Sequence, residues 1–569
     1  MKHTAALTVI GMAAFAAIAC GSDNGGGPSE PEGSAGTGGE SGMGGAGFGG
    51  MAGGGGEGAL GSGGTAGAMP SGCTPSGDVD APDEEFQDSN CDGIDGDAQA
   101  AVFVSPEGFD DALGTMEEPV QSLGRAIELA TEDGRAVYAC NGTYRENLNI
   151  TTPVAIYGGY DCARGWRRIK DRAVVESGTG VPLSVVAVDG LVHIERMAFR
   201  ALDGVTPGQS SQAGAVVDST NVELVRVELT TGDGAAGQAG APGTPGTDAP
   251  TAGARLCAAG ADTSTARCDG AAPTTLCDRY ASGGYNPDAE HRCMTGTFYV
   301  TRGGGGGRGG NTFRALDRLE CMPNGSSDLG LAGSPGQYLD GTQWVDIPAA
   351  ELGRPGPDGE DGASAGLGVG DIEGGLYVAS NSGTVGSDGD HGRPGRGGKG
   401  GDSTGGGPDI CRTGFSPASG GGQGGTAGCA GTGAMAGGGG GGAIGLVIVN
   451  SVVRLSFPRF VIGDGGAGGD GALGGEGKPG MAPGAAGAAY SGSFMGQPGQ
   501  AGGRGGDGGD GGAGGGGPSI AILYLGTAPA VSDAVYSLGL PGSGGLATSL
   551  GDGPPGVTGE VVNFEELLQ

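Results

Sequence analysis

From Gly465 the chain places glycine at every third residue: Gly465, Gly468, Gly471, Gly474, Gly477 and Gly480. The run follows directly on a stretch that reads as β-strand, AIGLVIVNSVVRLSFPRFVI. Few features constrain a fold more. A three-residue period belongs to neither an α-helix nor a pleated strand; it is the period of the polyproline II helix, which makes no internal hydrogen bonds. Every N–H and C=O of such a run must find a neighbouring chain or water. Three readings stand. Extended glycine helices of the same chain pack together, because glycine lets backbones touch. The runs form a collagen-like triple helix, against which sparse proline and frequent interruptions argue. Or they are disordered.

The same handover occurs elsewhere. AGAVVDSTNVELVRVELTTGDG, from Ala213, parallels the stretch from Ala443, and Leu224 and Leu455 each lie eight residues before a Gly-Asp-Gly. Gly234, Gly237, Gly240, Gly243 and Gly246 then keep the period, as do seven glycines in Gly383–Gly401 and seven in Gly499–Gly517. Strand segments therefore alternate with glycine excursions. Strands at 101–230, about 372–381, 443–462 and 519–540 are expected to build one discontinuous β-structure, with the glycine runs leaving it as lateral loops.

With 139 Gly and 32 Pro in 569 residues, one large apolar core is not expected. The formal net charge of −35 disfavours nucleic acid and anionic membrane surfaces and favours cations, besides keeping a glycine-rich chain soluble. MKHTAALTVIGMAAFAAIAC reads as an export signal, too short for a stable span. Its end, Ala17-Ile18-Ala19-Cys20, resembles a bacterial lipobox, which implies cleavage of residues 1–19 and acylation of Cys20; ordinary signal cleavage is the other reading. Residues 20–72 are then a Gly/Ser-rich tether, and the mature chain has no expected transmembrane segment. Twelve cysteines without a CxxC suit an oxidising compartment better than a zinc ribbon.

Residues 73–100 are acidic. Asp88, Asn90, Asp92, Asp95 and Asp97 alternate with small residues around Gly93, as in the first half of a calcium loop, although Gln99 stands where the closing glutamate belongs. A calcium site and a solvated acidic turn both fit; no other cofactor is expected. Downstream, a helix opened by Pro119 and closed by Gly134 places Val120, Leu123, Ile127 and Ala130 on one face. Short β-branched runs recur about every twenty residues over 101–235, as in the coils of a parallel β-helix. Coil-on-coil stacking at about 4.8 Å would bring Cys140 and Cys162 within bridging distance. Residues 236–370 add a Gly-rich and Cys-rich insertion, in which Cys257, Cys268, Cys277, Cys293 and Cys321 suggest local disulfides and Tyr280, Tyr285, Tyr299 and Trp344 a recognition surface. Residues 371–540 alternate strands with glycine excursions, and 541–569 read as a tail.

Val104-Ser105-Pro106, Gly108, Asp110, Gly114-Thr115, Pro119, Ser122-Leu123 and Ala126-Ile127 resemble the entry segment of exported right-handed parallel β-helix (pectin-lyase-like) proteins. YGGYDCARGWRR, Tyr157 to Arg168, is similar to a segment of myxobacterial surface lipoproteins with glycine-rich, PGRS-like repeats. The resemblance covers about residues 88–235 and implies an all-β, right-handed parallel β-helix with an N-terminal capping helix, interrupted by long glycine-rich loops that are polyglycine II-like or disordered. It also implies display on the outer membrane of a Gram-negative bacterium.

No catalytic constellation emerges. His193, His291 and His391 lie in no HExxH, and the G-x-S-x-G matches at Ser364 and Ser403 sit in glycine runs. Arg168-Ile169-Lys170 resembles a polygalacturonase tripeptide but lacks the paired-Asp and Gly-His-Gly motifs that should precede it. The expected role is a non-enzymatic surface lipoprotein, structural, adhesive or polysaccharide-binding, with the lipid bilayer and extracellular polysaccharide or matrix as partners. The alternatives are a polysaccharide lyase or glycoside hydrolase on the same fold, or a spacer.

Overall fold

The computed structural model describes residues 73–75, 80–250, 284, 290–294, 298–309, 313–314, 320–321, 329–402, 418–488 and 494–569. Among them, three parallel sheets stack as the sides of a β-helix. Ala101–Val104 starts the first sheet, and six coils follow. Each coil gives one strand to each sheet, as in Leu191–Glu195, Met197–Arg200 and Ser211–Val217. Inward residues stack on their counterparts: Val192 pairs in register with Val222, Val222 with Val453, and Leu224 with Leu455. The resulting core of Val, Ile, Leu and Phe is almost wholly excluded from water. Two corners of the coil turn through single residues in left-handed backbone conformation. One set is Arg196, Arg226, Phe457 and Asp533; the other is Ala187, Asp218, Asn450 and Gly526. These turns recur at equivalent positions of successive coils, which keeps the register of the first sheet intact.

The helix Leu123–Asp133 covers the N-terminal end, burying Leu123, Ala126, Ile127 and Ala130. It starts four residues later than the expected Pro119, because Val120 bridges to Val104 and Ser122 caps the first turn. Cys140 and Cys162 are joined, their Cα atoms 5.5 Å apart on adjacent coils.

The third corner, between the second and third sheets, is where the chain departs. There the fourth coil inserts residues 231–442, the fifth 462–518 and the sixth 538–557. The glycine runs are ordered and bonded to one another. Gly234, Gly237, Gly240, Gly243 and Gly246 donate to Asp464, Ala467, Asp470, Leu473 and Glu476 at 2.7–2.9 Å. Gly502, Gly505, Gly508, Gly511, Gly514 and Gly517 donate to Met481, Lys478, Gly475, Ala472, Gly469 and Gly466. Outbound and returning runs thus form a bundle of glycine helices. A helix with three residues per turn presents three faces, and a face against a neighbouring backbone must be glycine. The run 234–246, mostly exposed, has glycine at one position in three. The run 499–517 lies among 464–481, 383–395, 422–440 and 354–365 and has glycine at two positions in three.

Acidic residues serve this bundle directly. Asp233 N–H donates to Asp203, Asp464 N–H to Asp233 and Leu540 N–H to Asp464, a ladder at the root of the three excursions. Farther out, Asp358 and Asp361 accept from the N–H groups of Asp507 and Asp510. The side-chain oxygens satisfy amides that no neighbouring carbonyl reaches.

Three expectations are corrected. Asp371–Glu373 and Leu376–Val378 form a separate antiparallel hairpin instead of a β-helix coil, since their excursion is already bonded to other glycine runs. Cys293 bridges Cys429, 136 residues away, rather than a near neighbour; Cys257, Cys268 and Cys277 lie outside the described residues. The stretch 541–569 is more than a tail, because Thr558–Asn563 is the last strand of the third sheet and Phe564–Leu567 packs beside it.

Candidate functional site

On the outer face of the first sheet, residues at alternate positions of the strands stack from coil to coil. Ala155, His193, Glu223 and Arg454 share one row, and Tyr138, Tyr157 and Glu195 the next. Polar side chains in parallel register face their neighbours at strand spacing, so opposite charges are drawn together. Arg454 Nη1 lies 3.6 Å from Glu223 Oε1, and Glu223 Oε2 lies 3.4 Å from His193 Nδ1. His193 Nε2 is 3.4 Å from Glu195 Oε2, and Glu195 Oε1 accepts from Arg168 Nη2 at 2.5 Å. Arg168 Nη1 reaches Asp95 Oδ2 at 3.2 Å. The chain of contacts runs from a half-exposed arginine at one end to a buried guanidinium and carboxylate at the other.

Arg168 reaches this position because Arg167–Arg168 folds back antiparallel onto Tyr160 and Asp161, after a single 3-10 turn at Cys162–Arg164. The acidic segment closes over it. Asp83 donates its amide to Asp95, Asp83 carbonyl accepts from Arg168, and Glu84 pairs with both Arg196 and Arg226. The disulfide Cys73–Cys91 and the ring of Phe86, 4.9 Å from the Arg196 guanidinium, complete the clasp.

Electrostatics divide the two buried carboxylates. Burial pushes the Asp95 carboxyl up to about 6, against the opposing pull of the Asp83 amide and Arg168. Burial also acts to raise Glu195, but its bonds to His193 and Arg168 outweigh it and hold that carboxyl below the usual range. The Asp95 contribution to stability is therefore present in acid, below about pH 4, and is lost as pH rises through about 6. Asp95→Asn should abolish that loss. Urea midpoints of the two proteins should diverge between pH 4 and pH 7, with the wild type falling relative to the variant.

Beside this row lies an open cleft of about 450 Å³, lined by Asp80, Asp97, Arg135, Tyr138, Tyr157 and Leu191 among others. Tyr157 joins cleft and charge row, its ring centroid 5.1 Å from that of His193. Arg135 Nε is buried without a hydrogen-bond partner.

The candidate calcium ligands do not converge as one set. Asp88 accepts from the amides of Asp92 and Gly93, Asn90 Oδ1 accepts from Asp92 N–H, and Asp92 accepts from Ile94 and Ala98. Asp95 turns inward to Arg168, and Asp97 accepts from Gln99 and Ala100. Cys20 lies outside the described residues. Among those described, no helix is long and apolar enough to cross a membrane. Sequence reasoning missed Glu195 and Asp95 as partners of Arg168, and Glu223 as the partner of His193 and Arg454. The alternating strand LVHIE carries a signal, since His193 and Glu195 occupy its outward positions.

No family model and no solved structure matches the chain. Pectate lyase PEL9 of Emericella nidulans is 31% identical over 104 residues, 17% of this chain and 25% of that protein. The matched part spans about a quarter of the length of this relative. The likeness accords with the pectin-lyase-like fold of stacked parallel sheets.

Proposed function

We propose that the protein is a non-enzymatic display protein of the cell surface, acting through structure and adhesion, with polysaccharide bound at the cleft beside Tyr157. The observation that carries this reading is the glycine bundle: three excursions leave one corner of the β-helix and lock to each other by backbone hydrogen bonds. Such a bundle holds its surface in place with little side-chain entropy to lose, which suits repeated contact with a matrix. The charge row supports binding without turnover, because His193 faces two carboxylates and Arg168 is enclosed by its partners. Tyr138 and Tyr157 offer ring surface, and Asp80, Asp97 and Arg135 offer hydrogen bonds, a combination suited to sugar rings. Export and an acyl anchor at Cys20 belong to the same reading. Calcium would be held by Asp88, Asn90 and Asp92, since Asp95 is committed to Arg168.

The likeness to a pectate lyase favours a second reading, cleavage of pectate on the first sheet. One experiment separates the two. Pectate and a neutral polysaccharide are offered to the purified chain, and bound polymer and new chain ends are measured. Binding without cleavage, lost in a folded Tyr157→Ala variant, supports display. Cleavage that disappears in His193→Ala replaces it with the lyase reading. Absence of both binding and cleavage refutes the polysaccharide assignment.

A further inference from the structure

The β-helix is closed at one end and open at the other. The helix Leu123–Asp133 covers the N-terminal end. In the last coil, Ala530–Ser532, Val535–Ser537 and Thr558–Asn563 are the terminal strands of the three sheets, and among the described residues no strand pairs with their far edges. The core is left uncovered there. Val531, Tyr536 and Val561 repeat in register the inward positions of Leu455, Phe460 and Ile522 in the coil below. Those three are at most 1% exposed, whereas Val561 is 40% exposed and Val531 and Tyr536 are only partly buried. The Tyr536 ring stacks on Phe460 with centroids 5.4 Å apart, and no further coil stacks on Tyr536 in turn.

Charge at this end has one sign. No lysine or arginine follows Arg504 in the sequence, while Asp533, Glu560, Glu565 and Glu566 lie in or beside the terminal strands and are exposed. The arginines of the coil below, Arg454 and Arg459, are drawn away to Glu223 and Glu228, at 3.6 and 3.2 Å. Glu560, between Gly559 and Val561 in the register, takes the place that Ala521 holds in the core of the coil below. Burial, and after it the charge of Glu560, pushes the Tyr536 hydroxyl above its ordinary range, so that carboxylate stands near the ring. Lysine is a common guard of open sheet edges, and here carboxylates take its place. A second copy stacked end to end would set these carboxylates against their like. A basic chain meets no such penalty.

We propose that the C-terminal end of the β-helix is a docking surface for an extended, basic segment of a partner protein, which adds as a further strand along Thr558–Asn563. Main-chain hydrogen bonds along the free edge supply the affinity common to strand addition, and alternate side chains supply the selection. Apolar residues of the added strand would cover Val561 and Tyr536, as each coil covers the one before it. Lysine or arginine between or beside them would meet Glu560 and Asp533. The surface lies apart from the cleft beside Tyr157, which is lined by residues of the first coils.

The test uses the full chain and two synthetic peptides, one alternating valine with lysine and one alternating valine with glutamate. Amide exchange and a binding isotherm are measured with each. The basic peptide should slow exchange in Thr558–Asn563 and leave the N-terminal coils unchanged; the acidic peptide should do neither. Glu560→Lys should weaken binding of the basic peptide about tenfold, while Glu132→Lys, on the helix at the opposite end, should leave it unchanged. Should the reversal loosen the last strand by itself, Glu560→Gln keeps the size of the side chain and should still weaken binding severalfold. Absence of binding, protection away from the last coil, or equal losses in Glu560→Lys and Glu132→Lys overturns the proposal. Sedimentation of the chain alone supplies the remaining outcome: a dimer in which Thr558–Asn563 is already protected would make a second copy the occupant, and would overturn the basic partner.

Discussion

Gly474→Ala should destabilise the glycine bundle by about 3 kcal/mol, the upper part of the range for overpacking a filled interior. A Cβ at Gly474 would fall within the carbonyl group of Gly508, and that atom is backbone, unable to swing aside. Gly508 is itself held, its N–H bonded to the Gly475 carbonyl at 2.8 Å. Relief therefore requires the whole run 499–517 to move, which breaks its bonds to several neighbours together. Gly366→Ala is the matched control, because nothing lies within 4 Å of a Cβ there and its backbone is not left-handed. That change should be neutral or stabilise by about 0.5 kcal/mol, through the unfolded chain alone. Amide exchange over residues 464–481 and 502–517 checks both. Loss of protection in Gly474→Ala should spread across runs instead of remaining at one residue. Equal behaviour of the two variants would show that the bundle is not close-packed.

Arg168→Met should cost about 4 kcal/mol at neutral pH, the scale of losing one partner from a buried ion pair. The side chain has no exposure, and two carboxylates depend on it. Without the guanidinium, Asp95 and Glu195 would be buried anions facing each other's charge, and both carboxyls would rise. A raised carboxyl favours the folded state only while protonated, so the deficit should be largest near pH 7 and shrink toward pH 4. Urea denaturation of Arg168→Met across that range tests the sign. Asp95→Asn/Glu195→Gln in the same background should recover much of the loss at pH 7. The clasp of residues 80–100 should also become sensitive to protease in Arg168→Met, since Asp83 carbonyl and Asp95 lose their shared donor. A deficit independent of pH would mean that Arg168 acts through packing on Tyr157 and Tyr160, whose ring centroids lie 5.6 and 5.8 Å from its guanidinium carbon, more than through charge.

Much of this architecture could be read from local pattern. The capping helix was legible because its apolar spacing and Gly134 are near-neighbour signals, although its start was read at Pro119 and the cap is Ser122. Leu224 and Leu455 were recognisable as equivalent before they proved to be register partners, since stacked coils repeat the same inward positions however much chain is inserted between them. The site was much less legible. Arg168 looked like part of an isolated tripeptide, and nothing in RRIKD reveals that it folds back to meet Asp95, 73 residues earlier, and Glu195, 27 residues later. The hairpin at 371–378 imitated a coil because three apolar residues beside glycine are too few to show which sheet they join.

By itself, then, the sequence determined the periods: coils of β-branched residues near positions 101–230, and glycine every third residue beyond them. A period follows from bonds between residues close in the chain, and three residues per turn leaves a glycine face wherever the sequence repeats by three. Tertiary structure decided which faces meet. Gly474 is closed by Gly508, Cys293 by Cys429 and Asp464 by Asp233, pairings set by how three excursions leave one corner and return. Identical glycine faces carry no label for their partner, so only the stacking of the coils, which fixes where each run starts, could choose among them.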